Sequence, residues 1–222
     1  MLQVLYEDNH LLAVNKTAGT LVQGDATGDK PLSEICKEYI KQKYQKPGEV
    51  FLGVVHRLDR PVSGVVVFAR TSKALERMNE LFREKQTKKI YWALVEKKPP
   101  QPQGTLVHWL VKDEKKNKTT AYKNEHPQGQ RSELSYRLLK SVGMFFLLEV
   151  SPVTGRPHQI RVQLASMGCP IVGDVKYGCP MANTDASICL HAHTLSFVHP
   201  VKKEPITILA ELPKQESWNL VD

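Results

Sequence analysis

Val55-His56-Arg57-Leu58-Asp59-Arg60-Pro61-Val62-Ser63-Gly64 runs directly into Val65-Val66-Val67-Phe68-Ala69. The second part is an uninterrupted apolar run, the pattern of a strand buried on both faces. The first part is too punctuated for helix interior. Pro61 fixes its own φ and pushes Arg60 toward extended backbone, and Gly64 permits a turn that other residues resist. A loop feeding a buried strand therefore holds one carboxylate, Asp59, among His56, Arg57 and Arg60. Neighbouring cations favour the ionised form, so Asp59 is expected to be an anion at neutral pH. An unprotonated carboxylate on a rigid loop is suited to attack an electrophile. The competing reading is a surface salt-bridge cluster at the start of a strand.

Upstream, Leu2–Tyr6 and Leu11–Val14 are apolar runs separated by Glu7-Asp8-Asn9-His10, which predicts a hairpin. The N-terminus from Met1 reads as folded protein rather than a signal peptide. Pro31 opens an amphipathic helix carrying Ile35, Tyr39 and Ile40, with a basic face of Lys37, Lys41 and Lys43, and Lys46-Pro47-Gly48 closes it. Downstream, Thr71 or Ser72 caps a helix whose Leu75, Met78, Leu81 and Phe82 recur at helical spacing. Its basic exit, Arg83 to Lys89, leads into a strand over Ile90–Val95. Pro99–Gly104 reads as a linker and Val111–Gln130 as a polar, Lys-rich surface loop. Leu134–Leu139 and Met144–Val150 pair as a hairpin, and Leu190–Val198 and Ile206–Leu212 are further strands. Strands outnumber helices, which predicts one α+β domain over residues 1–222.

The chain has 222 residues, with 31 Lys and Arg against 23 Asp and Glu, giving a formal charge of +8. That excess favours a polyanionic partner, nucleic acid before a membrane surface. No stretch is long and apolar enough to span a bilayer. Cys36, Cys169, Cys179 and Cys189 lack CxxC spacing and read as reduced thiols of a cytoplasmic protein. Cys189-x-His191-x-His193 reads as alternate residues lining one strand face, and no metal site is expected.

Thr154-Gly155-Arg156-Pro157-His158-Gln159-Ile160-Arg161 is the second unusual stretch. Thr154 and Gly155 are suited to cap a helix with Pro157 in its first turn and Ile160, Leu164 and Ala165 facing the core. Arg161 is then directed partly inward, as a bidentate partner for Asp59 or as a bridge to some other acid. In Gly173-Asp174-x-x-Tyr177-Gly178, Asp174 reads as a turn-former before a site residue.

These segments resemble the RluA-type pseudouridine synthases. The matching motifs are His56-Arg57-Leu58-Asp59 with Ser63-Gly64, Lys89-x-Tyr91-x-Ala93-x-Val95, and Thr154-Gly155-Arg156-x-His158-Gln159-Ile160-Arg161. Pro170-Ile171-x-Gly173-Asp174-x-x-Tyr177-Gly178, Leu190-His191-Ala192 and Phe197-x-His199-Pro200 complete the set, in the family's order. Val62 stands where Thr is common, and Asn15-Lys16-Thr17 where the family has Asn-Lys-Pro. Many relatives carry an S4-like RNA-binding domain ahead of the catalytic one; with no room for it, this chain is expected to find RNA unaided.

The resemblance implies a largely antiparallel mixed sheet with a central catalytic cleft, and conversion of uridine to pseudouridine in rRNA or tRNA without a cofactor. It implies Asp59 as catalytic carboxylate, Tyr91 against the uracil, and Arg161 paired with the aspartate. Arg57 is implied to enter the RNA as the target nucleotide flips out. His56 is implied to lie at the substrate, supporting the loop rather than transferring protons. The basic helix and loops would contact phosphates, and no membrane or obligatory protein partner is implied. Two rivals stand beside this reading. A non-catalytic RNA-binding protein or chaperone would keep the fold and leave uridine unchanged. A hydrolytic glycosidase would want a second carboxylate and would release uracil.

Overall fold

The computed structural model describes residues 2–219 and 221, so Met1 lies outside the described residues. In chain order the elements are β1 (Gln3–Glu7), β2 (Leu11–Lys16), α1 (Leu32–Lys43), β3 (Gly53–Val54), β4 (Ser63–Ala69), α2 (Ser72–Arg83) and β5 (Lys88–Val95). There follow β6 (Gln103–Asp113), β7 (Lys118–Tyr122), β8 (Gln130–Val142), β9 (Phe145–Pro152), α3 (Gln159–Ser166), a 3-10 turn at Val175–Tyr177, β10 (Leu190–Val198), β11 (Pro205–Leu209) and α4 (Glu216–Asn219). The chain divides into two compact units, residues 1–88 with 192–212, and residues 89–191 with 213–222.

In the first unit the predicted hairpin forms, with β1 antiparallel to β2 and β2 antiparallel to β4. Every residue of β4 is buried, as its unbroken apolar run requires. One side of it packs with α2: Leu11, Ala13, Val65, Val67, Ala74 and Met78 share a core with Leu195 and Phe197. Burial of each large side chain of this kind contributes about 1.5–3 kcal/mol. Thr71 is the helix cap, its Oγ1 accepting the Ala74 N–H at 3.2 Å. Gly64, where β4 begins, has φ +117°, and a Cβ there would lie 2.3 Å from the Ala192 carbonyl oxygen of β10. Only glycine fits, because backbone occupies the space a side chain would need.

The second unit orders its strands β5-β9-β8-β6-β7. The β8–β9 hairpin forms as expected but runs longer, and a register shift between Leu138 and Lys140 marks a bulge. The linker and the Lys-rich loop are corrected: β6 takes up Gln103 and Gly104 and pairs with β7 from Trp109↔Tyr122 to Asp113↔Lys118. The reason is visible in β7, where buried Thr119 and half-buried Ala121 alternate with exposed Lys118, Thr120 and Tyr122. One wet face hides the strand in a polar composition.

The start of α3 is also corrected. Thr154, Gly155 and Pro157 precede the helix, and His158 stands at its N-cap in left-handed conformation, φ 55°. The turn before it is fastened by Gln159, whose Oε1 accepts from Thr154 Oγ1 at 2.8 Å and from the Arg156 N–H at 3.0 Å. Ile160 and Leu164 are buried as expected, and Ala165 is half-buried.

Candidate active-site residues

Asp59 is half-buried, in a loop anchored on both sides. On one side, His56 Nε2 accepts the Val67 N–H at 3.1 Å, and its ring stacks on Phe82 at 4.9 Å. An accepting Nε2 carries no proton, so His56 braces the loop as a neutral imidazole and is not one of the cations expected around Asp59. On the other side, the Arg60 carbonyl accepts from the Gly19 N–H at 2.8 Å and from Lys16 Nζ at 3.1 Å. Between them the Asp59 carbonyl accepts the Val62 N–H at 3.0 Å, closing a tight turn. Val62, at the position where Thr is common, is buried. The Arg60 guanidinium reaches Asp29 at 2.6 Å, an exposed pair of small energetic weight. Arg57 is exposed.

Lys16 is the residue that sequence reasoning passed over. It is 1% exposed at the end of β2, and its ammonium also donates to the carbonyls of Thr17 at 3.0 Å and Thr20 at 2.7 Å. One side chain thus ties the Thr17–Thr20 turn to the Asp59 loop. Burial pulls its pKa down to about 7, against the opposing charge of Asp59 and with that of Arg60. The sequence signals are a lysine ending an apolar strand and its place in Asn15-Lys16-Thr17.

In the second unit, Tyr91 lies half-buried on β5, opposite Val150 of β9. Arg161, buried on α3, is held by Asp174 through two bonds, Nε to Oδ2 at 2.7 Å and Nη2 to Oδ1 at 2.8 Å. Asp174 is therefore an acid that Arg161 bridges, and its reading as a turn-former was incomplete. Its carbonyl does make the turn, accepting from Tyr177 and Cys179, while its 1%-exposed carboxylate fixes the guanidinium. Pairing on the Nε/Nη2 edge sets where the opposite edge points, which is what a planar fork offers over lysine. The Tyr177 ring lies 5.1 Å from the guanidinium carbon. Its hydroxyl accepts the Thr119 N–H at 2.9 Å and stands 2.7 Å from His158 Nδ1. No spacing rule marks this Thr119–Tyr177–His158 connection, because it joins three separate segments.

The four cysteines are buried and free, and burial pushes the thiols of Cys36 and Cys189 up to about 12 and about 11. Among the described residues, no three His, Cys, Asp or Glu side chains gather in a way that could hold a metal ion. No described helix is long and apolar enough to cross a membrane.

A family profile described as RNA pseudouridylate synthase matches residues 10–166, from β2 through α3. The chain is 34% identical over 221 residues to ribosomal large subunit pseudouridine synthase C of Vibrio cholerae, covering 94% of this chain and 65% of that protein. It thus spans about two thirds of that relative's length. It is 31% identical to tRNA pseudouridine synthase C of the same organism, covering 98% of this chain and 93% of the relative. Among solved structures, human RNA pseudouridylate synthase domain containing 4 superposes with a TM-score of 0.82 at 25% identity, over 99% of this chain and 92% of that one. The α+β architecture is the one these synthases share, and every motif from the Asp59 loop to Arg161 falls within the matched residues. A family profile matched over residues 10–166, with a relative matched over nearly the full length of both chains, places this chain in the RNA pseudouridylate synthase family.

Proposed function

We propose that the chain isomerises specific uridines in structured RNA to pseudouridine, with residues 1–222 acting as one catalytic domain in the cytoplasm. The observation that carries this reading is the Asp59 loop, a lone carboxylate held between His56 on Val67 and Lys16 on the Arg60 carbonyl. A reactive group fixed in this way loses little entropy on reaching its target. In the reaction the C1′–N1 bond breaks, the uracil turns, and a C1′–C5 bond forms. The C5 proton is lost and N1 ends protonated, so atoms balance without oxidant, reductant or cofactor. Asp59 is the catalytic carboxylate. Tyr91 lies against the uracil, and Arg161 acts with Asp59 as a fixed cation whose direction Asp174 sets. Arg57 enters the RNA as the nucleotide flips, and His56 supports that end of the site by bracing the loop. One relative's name specifies large-subunit rRNA and another's tRNA, and either class fits a recognition that rests on shape and flanking contacts.

The test is to map pseudouridines in total RNA from cells with and without the gene, and to incubate the purified protein with the RNA that differs. Loss of particular pseudouridines, restored in vitro with no release of free uracil, is the expected result. Binding without conversion would favour the RNA chaperone, and free uracil would favour the glycosidase.

A further inference from the structure

The Lys-rich segment is the tip of the β6–β7 hairpin, and its charge is organised. Residues 112–118 contain four lysines, Lys112, Lys115, Lys116 and Lys118, against Asp113 and Glu114. Both acids are occupied within the tip. Asp113 Oδ1 accepts the Lys116 N–H at 3.0 Å, shaping the turn, and Glu114 pairs with Lys112 at 2.6 Å. Lys115, Lys116 and Lys118 are exposed, and no ion pair involving them occurs among the described residues. The basic face of α1 differs. On and beside α1, Lys37 is taken by Glu34 at 2.7 Å, Lys43 by Glu7 at 2.6 Å and Lys30 by Glu38 at 2.6 Å.

The tip is also fastened. Lys176, from the 3-10 turn, donates to the Asn117 carbonyl at 3.0 Å and adds a further exposed cation beside it. Thr119 anchors the base, its Oγ1 donating to the Pro157 carbonyl at 3.0 Å and its N–H to Tyr177. The Lys118 ammonium lies 5.9 Å over the same Tyr177 ring that faces Arg161. A solvated lysine run needs no such attachments, whereas a ridge that must present charge at a fixed place does.

We infer that Lys115, Lys116 and Lys118, backed by Lys176, form a ridge that holds the phosphate backbone of the RNA substrate in the frame of Arg161. The inference rests on the proposed RNA activity and adds where the backbone is gripped. The partner is a run of phosphates rather than a base sequence, because ammonium groups on flexible stems act chiefly as point charges, which phosphates satisfy whatever the sequence. Each phosphate contact contributes about 0.7–0.9 to the slope of log affinity against log salt.

The experiment compares K115Q/K116Q/K118Q with K97Q/K98Q/K214Q, a variant of equal charge change at exposed lysines elsewhere in the same unit. The probe is a fluorescein-labelled RNA stem-loop carrying uridine in its loop, titrated across a salt series, with a melting curve for each protein. The ridge variant is expected to melt as wild type, lose about 2 from the salt slope, and bind on the order of a hundredfold more weakly at 0.1 M salt. The control is expected to keep the wild-type slope. Equal losses in both variants, or no loss in the ridge variant, overturn the ridge. If wild type and control bind tightly with the full slope but convert no uridine in any RNA, the ridge stands and the proposed activity fails. If wild type does not bind RNA, both fall.

Discussion

Replacing Asp174 by leucine would take two charge-assisted bonds from the buried Arg161 guanidinium. The two side chains are 1% and 7% exposed and share two short charge-assisted bonds. Loss of one member of a buried pair of this kind costs about 3–5 kcal/mol. For a chain of this size that corresponds to a fall in melting temperature of roughly 6–20 °C. Arg161→Met should cost a comparable amount, since it leaves the Asp174 carboxylate buried. The double variant R161M/D174L replaces both charges with apolar groups of similar length. It should lie well above the sum of the singles, with a coupling energy of about 2 kcal/mol or more, as exchange of a whole buried pair is often near neutral. Urea unfolding of the four proteins gives the cycle. Pseudouridine formation on the same samples should remain absent in the double variant even where stability returns, which separates the structural pair from the chemistry. A cost below about 1 kcal/mol for D174L, or singles that add within about 0.5 kcal/mol, would mean that the two side chains are not energetically coupled.

Two further outcomes are expected. Arg57→Ala should lose more single-turnover activity on a structured stem-loop than on an RNA with a loosened target, because unstacking costs a few kcal/mol only in the former. Equal losses with a lower melting temperature would instead make Arg57 a loop brace. Asp8→Asn should show its effect through pH. Burial raises the Asp8 carboxyl, but the N–H groups of His10 and Leu11, with Lys202 and Tyr6, outweigh it and hold the group below the usual carboxylate range. A depressed folded-state value means stabilisation that is present above the ordinary range and lost as pH falls through the folded value. The stability gap between wild type and D8N should therefore stay level above about pH 5 and shrink below about pH 4. A gap unchanged down to acid unfolding would contradict this.

What the sequence disclosed, and what it concealed, follows from how local each signal is. The β4 run, the first hairpin and the Thr71 cap were legible because burial on both faces, a polar turn and a hydroxyl before an apolar period are each written in adjacent residues. The β6–β7 hairpin is not, since in β7 the inward Thr119 and Ala121 alternate with Lys118, Thr120 and Tyr122 on the wet face. The α3 start is later than expected because the Gln159 side chain, reaching back to Thr154 and Arg156, holds the preceding turn outside the helix. Of the candidate site, the residue types were legible and their supports were not. Lys16 reaches Arg60 across 44 positions, and Asp174 reaches Arg161 across 13. Such partners are chosen by the fold, and no spacing within either segment announces them.

If Asp59 carries the chemistry, Asp59→Asn must lose turnover. The substitution keeps the shape of the side chain and removes its charge, so the His56 and Arg60 anchors of the loop are left in place. Purified variant and wild type are to be assayed on the same modified-site RNA, with RNA affinity and melting temperature measured alongside. The expected result is wild-type melting, RNA binding within a few-fold of wild type, and no detectable pseudouridine. Conversion at near the wild-type rate by a folded, RNA-binding D59N protein would contradict it.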